Sequence, residues 1–294
     1  MTERGGASGG GGPNDAEPLG LDFGVSSVAD DPVLARALVP LPQLLAPPVR
    51  SDVLSIACRG WEDRIRSEYV GVMIVRRLHG LLVDLNAPMD LQEAALRMLL
   101  DEQRHAALCT VAAQALGSDG VVAFDLPELQ QARTAAPLEH QLLEMLVGTY
   151  ACGEVVAHAL IRHAVKALPP SGFRDILRTI ARDEVLHARI GPIVLRAIRS
   201  GAEDAWIAWP GDREVRALFE RQREAMRGRA VVEPDEEALF ADPTAAEQLR
   251  TLGIPPSGPF RAAYLRAVER DIARSMRSVG VGPDRTLTAQ GSSA

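Results

Sequence analysis

The sequence contains few aromatic residues and few cysteines, and both shortages narrow the choice of fold. Phe, Trp and Tyr make up 4% of the 294 residues. Ala, Leu, Val and Arg are abundant instead, which is typical of a helical protein rather than a β-sheet protein. The three cysteines, Cys58, Cys109 and Cys152, form no CxxC pair, so neither a disulfide framework nor a zinc knuckle is expected.

The chain also lacks a basic excess and a long apolar run. Its formal net charge is −7, which argues against a nucleic-acid-binding protein. The arginines of residues 221–229 are interspersed with acidic residues, as on a solvated helix face. No apolar run reaches the roughly 18 residues of a membrane-spanning helix, and the N-terminal residues contain no apolar signal-peptide core. We therefore expect a cytoplasmic protein with no membrane or nucleic-acid partner.

Glycine and proline separate a helical centre from irregular ends. Residues 1–50 are rich in Gly, Pro, Ser and Asp and are predicted to be disordered or extended. Four long patterns with helical periodicity follow: about Asp52 to Asp84, about Asp90 to Leu116, Pro137 to about Leu168, and an N-cap at Ser171 to about Arg199. Pro192 in the fourth pattern is expected to kink the helix or to end its first part.

The sequence thus predicts an all-α protein in which residues 51–201 form a four-helix bundle. The linker 118–136, between the second and third patterns, is long enough to hold a short helix. Residues 202–280 are predicted to be a helical extension packed on the bundle, with helices near 212–228 and 258–278, and residues 281–294 a disordered tail.

Two Glu-x-x-His motifs are the strongest functional signal. Glu102 and His105 lie within DEQRH, and Glu184 and His187 lie within DEVLH. A spacing of three residues places each pair on one helix face, one turn apart, where both side chains can bind the same metal ion. One such motif would be typical of a surface Glu–His pair, whereas two, each preceded by Asp and in mid-helix, indicate a metal site.

The first and third patterns each contain one Glu in apolar surroundings. Glu68 lies within SEYVGVMIV and Glu154 within YACGEVVAHAL. A buried carboxylate needs a partner, which for Glu68 could also be Arg64 or Arg66. The order is then Glu, Glu-x-x-His, Glu, Glu-x-x-His, at intervals of 34, 52 and 30 residues. This is the ligand set of ferritin-like bundles that bind two metal ions.

The pattern resembles that of the ferritin-like di-iron superfamily. That group includes bacterial multicomponent monooxygenase hydroxylases, acyl carrier protein desaturases, the ribonucleotide reductase small subunit, rubrerythrins and bacterioferritins. The resemblance covers roughly residues 52–200 and implies two iron ions, or iron with manganese. The implied ligands are Glu68, Glu102, His105, Glu154, Glu184 and His187, with Glu102 and Glu184 bridging or chelating. Asp101 and Asp183 are each expected to accept a hydrogen bond from the His of the opposite motif or, alternatively, to be solvated.

Three further residues lie one helical turn from implied ligands and are candidates for the pocket. Cys109 follows His105 by four residues, where the position resembles that of the radical tyrosine in the ribonucleotide reductase small subunit. A cysteine there excludes a tyrosyl radical at that site and is otherwise a small core residue. His158, four residues after Glu154, is interpreted as a third imidazole ligand, a proton donor or a core histidine. Tyr150, four residues before Glu154, is interpreted as redox-active, hydrogen-bonding or core.

These residues lead us to expect an oxidase or oxygenase that activates dioxygen to hydroxylate, N-oxygenate or desaturate a small organic substrate. The sequence has no flavin or nucleotide motif, so electrons are expected from a separate reductase or ferredoxin. One alternative is a ferroxidase that stores or detoxifies iron, against which the long C-terminal extension argues. Another is a non-catalytic ferritin-like metalloprotein, against which the complete ligand set argues. A homodimer remains open.

Overall fold

The computed structural model describes residues 48–124, 134–201, 206–228 and 238–282. Within these ranges the chain is all-α, as predicted. No helix in the described ranges is both long enough and apolar enough to cross a membrane. The segments predicted to be irregular, 1–50 and 281–294, lie almost wholly outside the described residues, and so does the middle of the linker 118–136.

Four long helical segments confirm the four predicted patterns to within one residue at each end. They are α1 (Ser51–Asp84), α2 (Met89–Ala115), a composite third segment and α5 (Gly172–Arg199). The composite segment consists of α3 (Leu138–Met145), a π-helical stretch π1 (Leu146–Gly153) and α4 (Glu154–Ala167).

The ends of these helices follow from local chemistry. Asn86, at a φ of 53°, makes the turn between α1 and α2, and Asn tolerates this left-handed conformation better than most residues. Ser171 caps α5 as predicted, because its hydroxyl accepts a hydrogen bond of 3.2 Å from the backbone N–H of Arg174. The prediction that α5 could end at Pro192 is wrong, since the helix continues to Arg199. A proline removes only one backbone hydrogen bond, and the buried Val194 and Leu195 hold the next turn in the core.

The C-terminal region adds helices to the outside of these segments. They are α6 (Asp212–Arg227), α7 (Pro243–Thr251), α8 (Ser257–Arg266), a second π-helical stretch π2 (Ala267–Asp271) and α9 (Ile272–Val279). Helix α8 packs on α4, α9 on α5, α6 on π1, and α7 on α1. The last of these contacts includes a hydrogen bond of 2.9 Å from the indole N–H of Trp61 to the carbonyl of Leu252.

Two apolar clusters fill the interior and are separated by a polar layer. One cluster includes Val75, Leu78, Met98, Leu146, Ile190 and Val194, and the other includes Ile65, Ala107, Leu108, Leu177 and Ile180. Along α1, α2 and α5 the chain passes from one cluster to the other at Glu68, at Glu102 and His105, and at Glu184 and His187. The predicted ligand residues of these three helices therefore lie at mid-height, with apolar packing on both sides.

Candidate metal centre

The structure brings the six predicted ligand residues together in two adjoining groups. In the first, one ligand atom each from Glu68, Glu102, His105 and Glu184 lie within 4.8 Å of one another; in the second, the same holds for Glu102, Glu154 and His187. Glu102 belongs to both groups. Four separate helical segments thus place their side chains around two neighbouring points.

Both imidazoles present Nδ1 to the carboxylates. His105 Nδ1 lies 3.3 Å from Glu68 Oε2 and 3.2 Å from Glu184 Oε1. His187 Nδ1 lies 3.1 Å from Glu102 Oε1 and 3.3 Å from Glu184 Oε2. The two oxygens of Glu184 therefore face different histidines, whose ring centroids are 6.2 Å apart. This is the arrangement of a carboxylate that bridges two positions.

The close contacts do not form ordinary hydrogen bonds. His105 and His187 have no exposed surface, and all four of their ring nitrogens, together with Glu184 Oε2, have no hydrogen-bond partner within the described chain. Buried polar atoms are rarely left without a partner. Donor atoms that converge without pairing with each other fit a site whose partner is a cation.

The acidic residues before each motif lie behind the histidines of the opposite motif. Asp183 Oδ2 is 3.6 Å from His105 Nε2, and Asp101 Oδ2 is 3.7 Å from His187 Nε2. Both distances are slightly longer than a hydrogen bond. The pairing is nevertheless the expected one, with each carboxylate facing the ring nitrogen that points away from the cluster.

Asp183 is also held by two arginines that the sequence reasoning missed. Arg104 Nη1 lies 2.5 Å from its carboxylate and Arg182 Nε 3.1 Å from it. Burial raises the pKa of Asp183, but His105 and the two guanidinium groups outweigh this effect and lower it to about 2. Asp183 is therefore an ionised, fixed group, and its side chain is only 13% exposed.

Two of the carboxylates within the cluster are poorly stabilised as anions, whereas for Glu184 the two histidines outweigh burial and lower the pKa. Burial, with repulsion from Glu68 and Glu184, raises the pKa of Glu102 to about 7 although His187 opposes the shift. Burial and neighbouring carboxylates raise the pKa of Glu154 well above its ordinary value. Protons neutralise part of this charge in the metal-free protein, and two divalent cations would neutralise it instead.

The position of Glu154 depends on π1, which the sequence analysis did not predict. The π-helical stretch ends at Gly153, directly before Glu154, and π turns are frequent at functional sites. Helix α5 packs tightly against π1 at Gly191, where an added Cβ would lie 2.7 Å from Tyr150 Cβ and 2.8 Å from the carbonyl of Leu146. Glycine at this position permits the close approach, and its location inside a helical pattern was the available signal.

A second glycine makes room for the shared carboxylate. A Cβ at Gly71 would lie 2.3 Å from Glu102 Oε2 and 2.6 Å from its Cδ. Any residue other than glycine would therefore displace this carboxylate. The sequence contained a signal here too, because Gly71 interrupts an apolar helical pattern three residues after Glu68.

The three pocket candidates differ in their relation to the cluster. Cys109 is fully buried, and burial with the charge of Glu68 raises the pKa of its thiol well above the ordinary value. Tyr150 is also fully buried; burial and the charge of Glu154 raise the pKa of its phenol, whose oxygen has no hydrogen-bond partner within the described residues. His158 belongs to neither ligand group and lies in a groove outside them.

Arg66, one of the two arginines considered as a partner for Glu68, pairs instead with Asp63 at 3.1 Å. The six side chains supply four carboxylates and two imidazoles, a hard oxygen and nitrogen donor set that suits iron or manganese. Four carboxylates also balance the charge of two divalent ions.

Comparisons of the chain with models of known protein families, with curated proteins and with solved structures found no match.

Proposed function

We propose that this chain is a ferritin-like four-helix bundle that binds two iron ions and activates dioxygen, as an oxidase or oxygenase of a small organic substrate. One observation carries the proposal. Six side chains from four helical segments converge in two groups that share Glu102, and the two oxygens of Glu184 face different histidines.

Each residue has a distinct place in this proposal. Glu68 and His105 would hold one ion, and Glu154 and His187 would hold the other. Glu102 and Glu184 would be available to both, because Glu102 belongs to both groups and the two oxygens of Glu184 face different histidines. Asp183 and Asp101 face the outer imidazole nitrogens at 3.6 and 3.7 Å, and from there they would orient each ring with Nδ1 toward the ions and raise its basicity.

When bound, two iron ions supply the redox chemistry that reduces dioxygen. The chain contributes a closed, water-poor environment, since the layer lies between two apolar clusters. Tyr150 contributes a neutral phenol whose proton remains on Oη beside the carboxylates of the cluster. Electrons would come from a separate reductase or ferredoxin, because the sequence has no flavin or nucleotide motif.

Enclosure favours an oxidase over iron storage. Storage requires that oxidised iron leaves the centre where it was oxidised, and burial of the ligands would slow that release. Here both histidines are completely buried, and Glu102 and Glu184 are 4% and 7% exposed. A centre of this kind retains its ions through many reaction cycles.

Anaerobic reconstitution with ferrous iron tests the proposal. We expect about two irons per chain by elemental analysis, and repeated dioxygen consumption when a chemical reductant is present. Glu102→Ala removes the carboxylate common to both groups, so we expect loss of iron and of dioxygen consumption. Glu144→Ala is the matched control, because Glu144 is a 42% exposed side chain on α3 that contacts Arg221 and His140.

Two results would contradict the proposal. Wild-type protein that binds clearly fewer than two irons per chain has no di-iron centre. Stoichiometric oxidation of iron in a single cycle, with ferric product released and no further dioxygen uptake, would assign the centre to iron storage instead.

A further inference from the structure

A groove of about 1000 Å³ lies on the outer side of α4 and α5. Its opposite wall is formed by α8, π2 and α9. The groove includes Val155 and Val185, the residues that follow Glu154 and Glu184, but none of the six proposed metal ligands. It is therefore a separate site next to the metal centre.

The groove is strongly cationic although the chain has a net charge of −7. Eight basic side chains line it, and they come from both walls: Arg162, Lys166, Arg178, Arg182, Arg189, Arg266, Arg270 and Arg274. Asp271 is the one carboxylate among the described lining residues, and Arg270 and Arg274 contact it at 3.2 and 3.0 Å. The positive charge is thus concentrated at one place on an otherwise acidic protein.

Half of these cations have no counter-charge among the residues that the structure describes. Arg178 pairs with Asp175 and Arg182 with Asp183. Four others, Arg162, Lys166, Arg189 and Arg266, have no ion-pair partner within 4.0 Å among the residues that the structure describes.

Their arrangement also differs from that of an ordinary solvated face. Arg266, Arg270 and Arg274 follow one another at four-residue steps, as do Arg162 and Lys166. Like charges at this spacing destabilise a helix, and solvated helix faces usually alternate in sign. A bound anion would give such a cluster the compensating charge that the described part of the chain does not provide.

Ser275 provides a second, independent indication of a ligand. It lines the groove, is 5% exposed, and its hydroxyl has no hydrogen-bond partner among the described residues. A buried hydroxyl without a partner is unfavourable, and an oxyanion in the groove would accept a hydrogen bond from it. The rest of the lining is largely apolar, with Val155, Ala159, Val185, Pro192 and Ile193, and also includes His158, His163 and Ser278.

We propose that this groove binds an organic phosphate ester, with the phosphate held by the arginines and Ser275 and the organic part packed on the apolar lining. The arginine fork matches phosphate oxygens in pairs of charge-assisted hydrogen bonds. The volume is that of a site for a small molecule. This inference is independent of the metals, because it uses none of their ligands.

Isothermal titration calorimetry at low ionic strength tests the proposal with three probes: 2-naphthyl phosphate, inorganic phosphate and 2-naphthol. We expect saturable binding of one 2-naphthyl phosphate per chain, weaker binding of inorganic phosphate and none of 2-naphthol. Arg162→Gln and Arg189→Gln should each weaken binding of 2-naphthyl phosphate about tenfold or more, the loss expected for a charge-assisted hydrogen bond. Ser275→Ala should weaken it about fivefold for a neutral one.

Arg213→Gln is the matched control. Arg213 is exposed on α6 and outside the groove, so the substitution removes the same charge and should leave binding unchanged. Because Arg162, Arg189 and Arg213 are all exposed, these variants should fold, which circular dichroism checks. Equal affinity in all variants would overturn the proposal, and so would tighter binding of a single-stranded RNA oligomer than of 2-naphthyl phosphate.

Discussion

Gly71→Ala is the sharpest test of the geometry of the proposed metal centre, because it adds one methyl group in the interior of α1. The new Cβ would lie 2.3 Å from Glu102 Oε2 and 2.9 Å from its Oε1. Ordinary van der Waals contact begins near 3.4 Å. The carboxylate must therefore move by about 1 Å, or the two helices must separate.

That displacement is large compared with the precision of a metal site, where ligand distances hold within about 0.2 Å. Glu102 belongs to both ligand groups, so its displacement should weaken the binding of both proposed ions at once. Mutation of groups that only orient a ligand typically reduces metal affinity 10–100-fold. We expect a loss of at least about 100-fold here, since the ligand itself moves.

The assay is a competition titration of Co²⁺ or Fe²⁺ against a chelator of known affinity, with Gly80→Ala as the matched control. Gly80 lies in the same helix, and a Cβ there meets nothing within 4 Å. Gly80→Ala should bind metal as wild type does and gain up to about 1 kcal/mol of stability from helix propensity. If Gly71→Ala also bound two ions with wild-type affinity, the position of Glu102 beside Gly71 would be wrong.

Three further predictions concern the charge and packing around the centre. Asp183→Asn should lower metal affinity about 10–100-fold, measured by the same competition titration, because it removes the carboxylate that faces His105 Nε2; unchanged affinity would show that Asp183 has no orienting role. The pKa of Glu102 is raised to about 7, so below that pH the site holds a proton that metal binding must expel. Metal affinity should therefore rise as the pH increases through 7. Calorimetry in buffers of different ionisation enthalpy should detect the released proton. Gly191→Ala should destabilise the protein by about 1–3 kcal/mol, because its Cβ would lie 2.7 Å from the backbone nitrogen of Ala151; thermal unfolding at or above the wild-type midpoint would contradict the close packing.

Much of the fold could be predicted because its determinants are local. Prolines, glycines and the Ser171 cap mark the helix ends, and periodic apolar residues mark the helices between them. The placement of Glu and His of each Glu-x-x-His motif on one helix face was also predictable, because a three-residue spacing puts the two side chains one turn apart. These features depend on neighbours within one or two turns.

The remaining features depend on contacts between segments distant in sequence. Arg104 reaches Asp183 across 79 residues, and nothing near either residue distinguishes this arginine from the other basic residues of the chain. The roles of Gly71 and Gly191 exist only because another segment passes close to each. Pro192 was overestimated for the same reason, since the packing of the turn beyond it outweighs one missing hydrogen bond.

In the third helical segment, the number of residues matters more for the position of Glu154 than the types of those residues. A π turn contains about one residue more than an α turn, so residues before and after π1 do not follow a single helical wheel. Deleting one residue between Leu146 and Gly153 would restore an uninterrupted α-helix and rotate either Glu154 or the apolar residues of α3 by about 100°. Substitutions in this stretch are therefore expected to be tolerated better than insertions or deletions. An insertion or deletion would rotate the carboxylate of Glu154 relative to the apolar residues of α3.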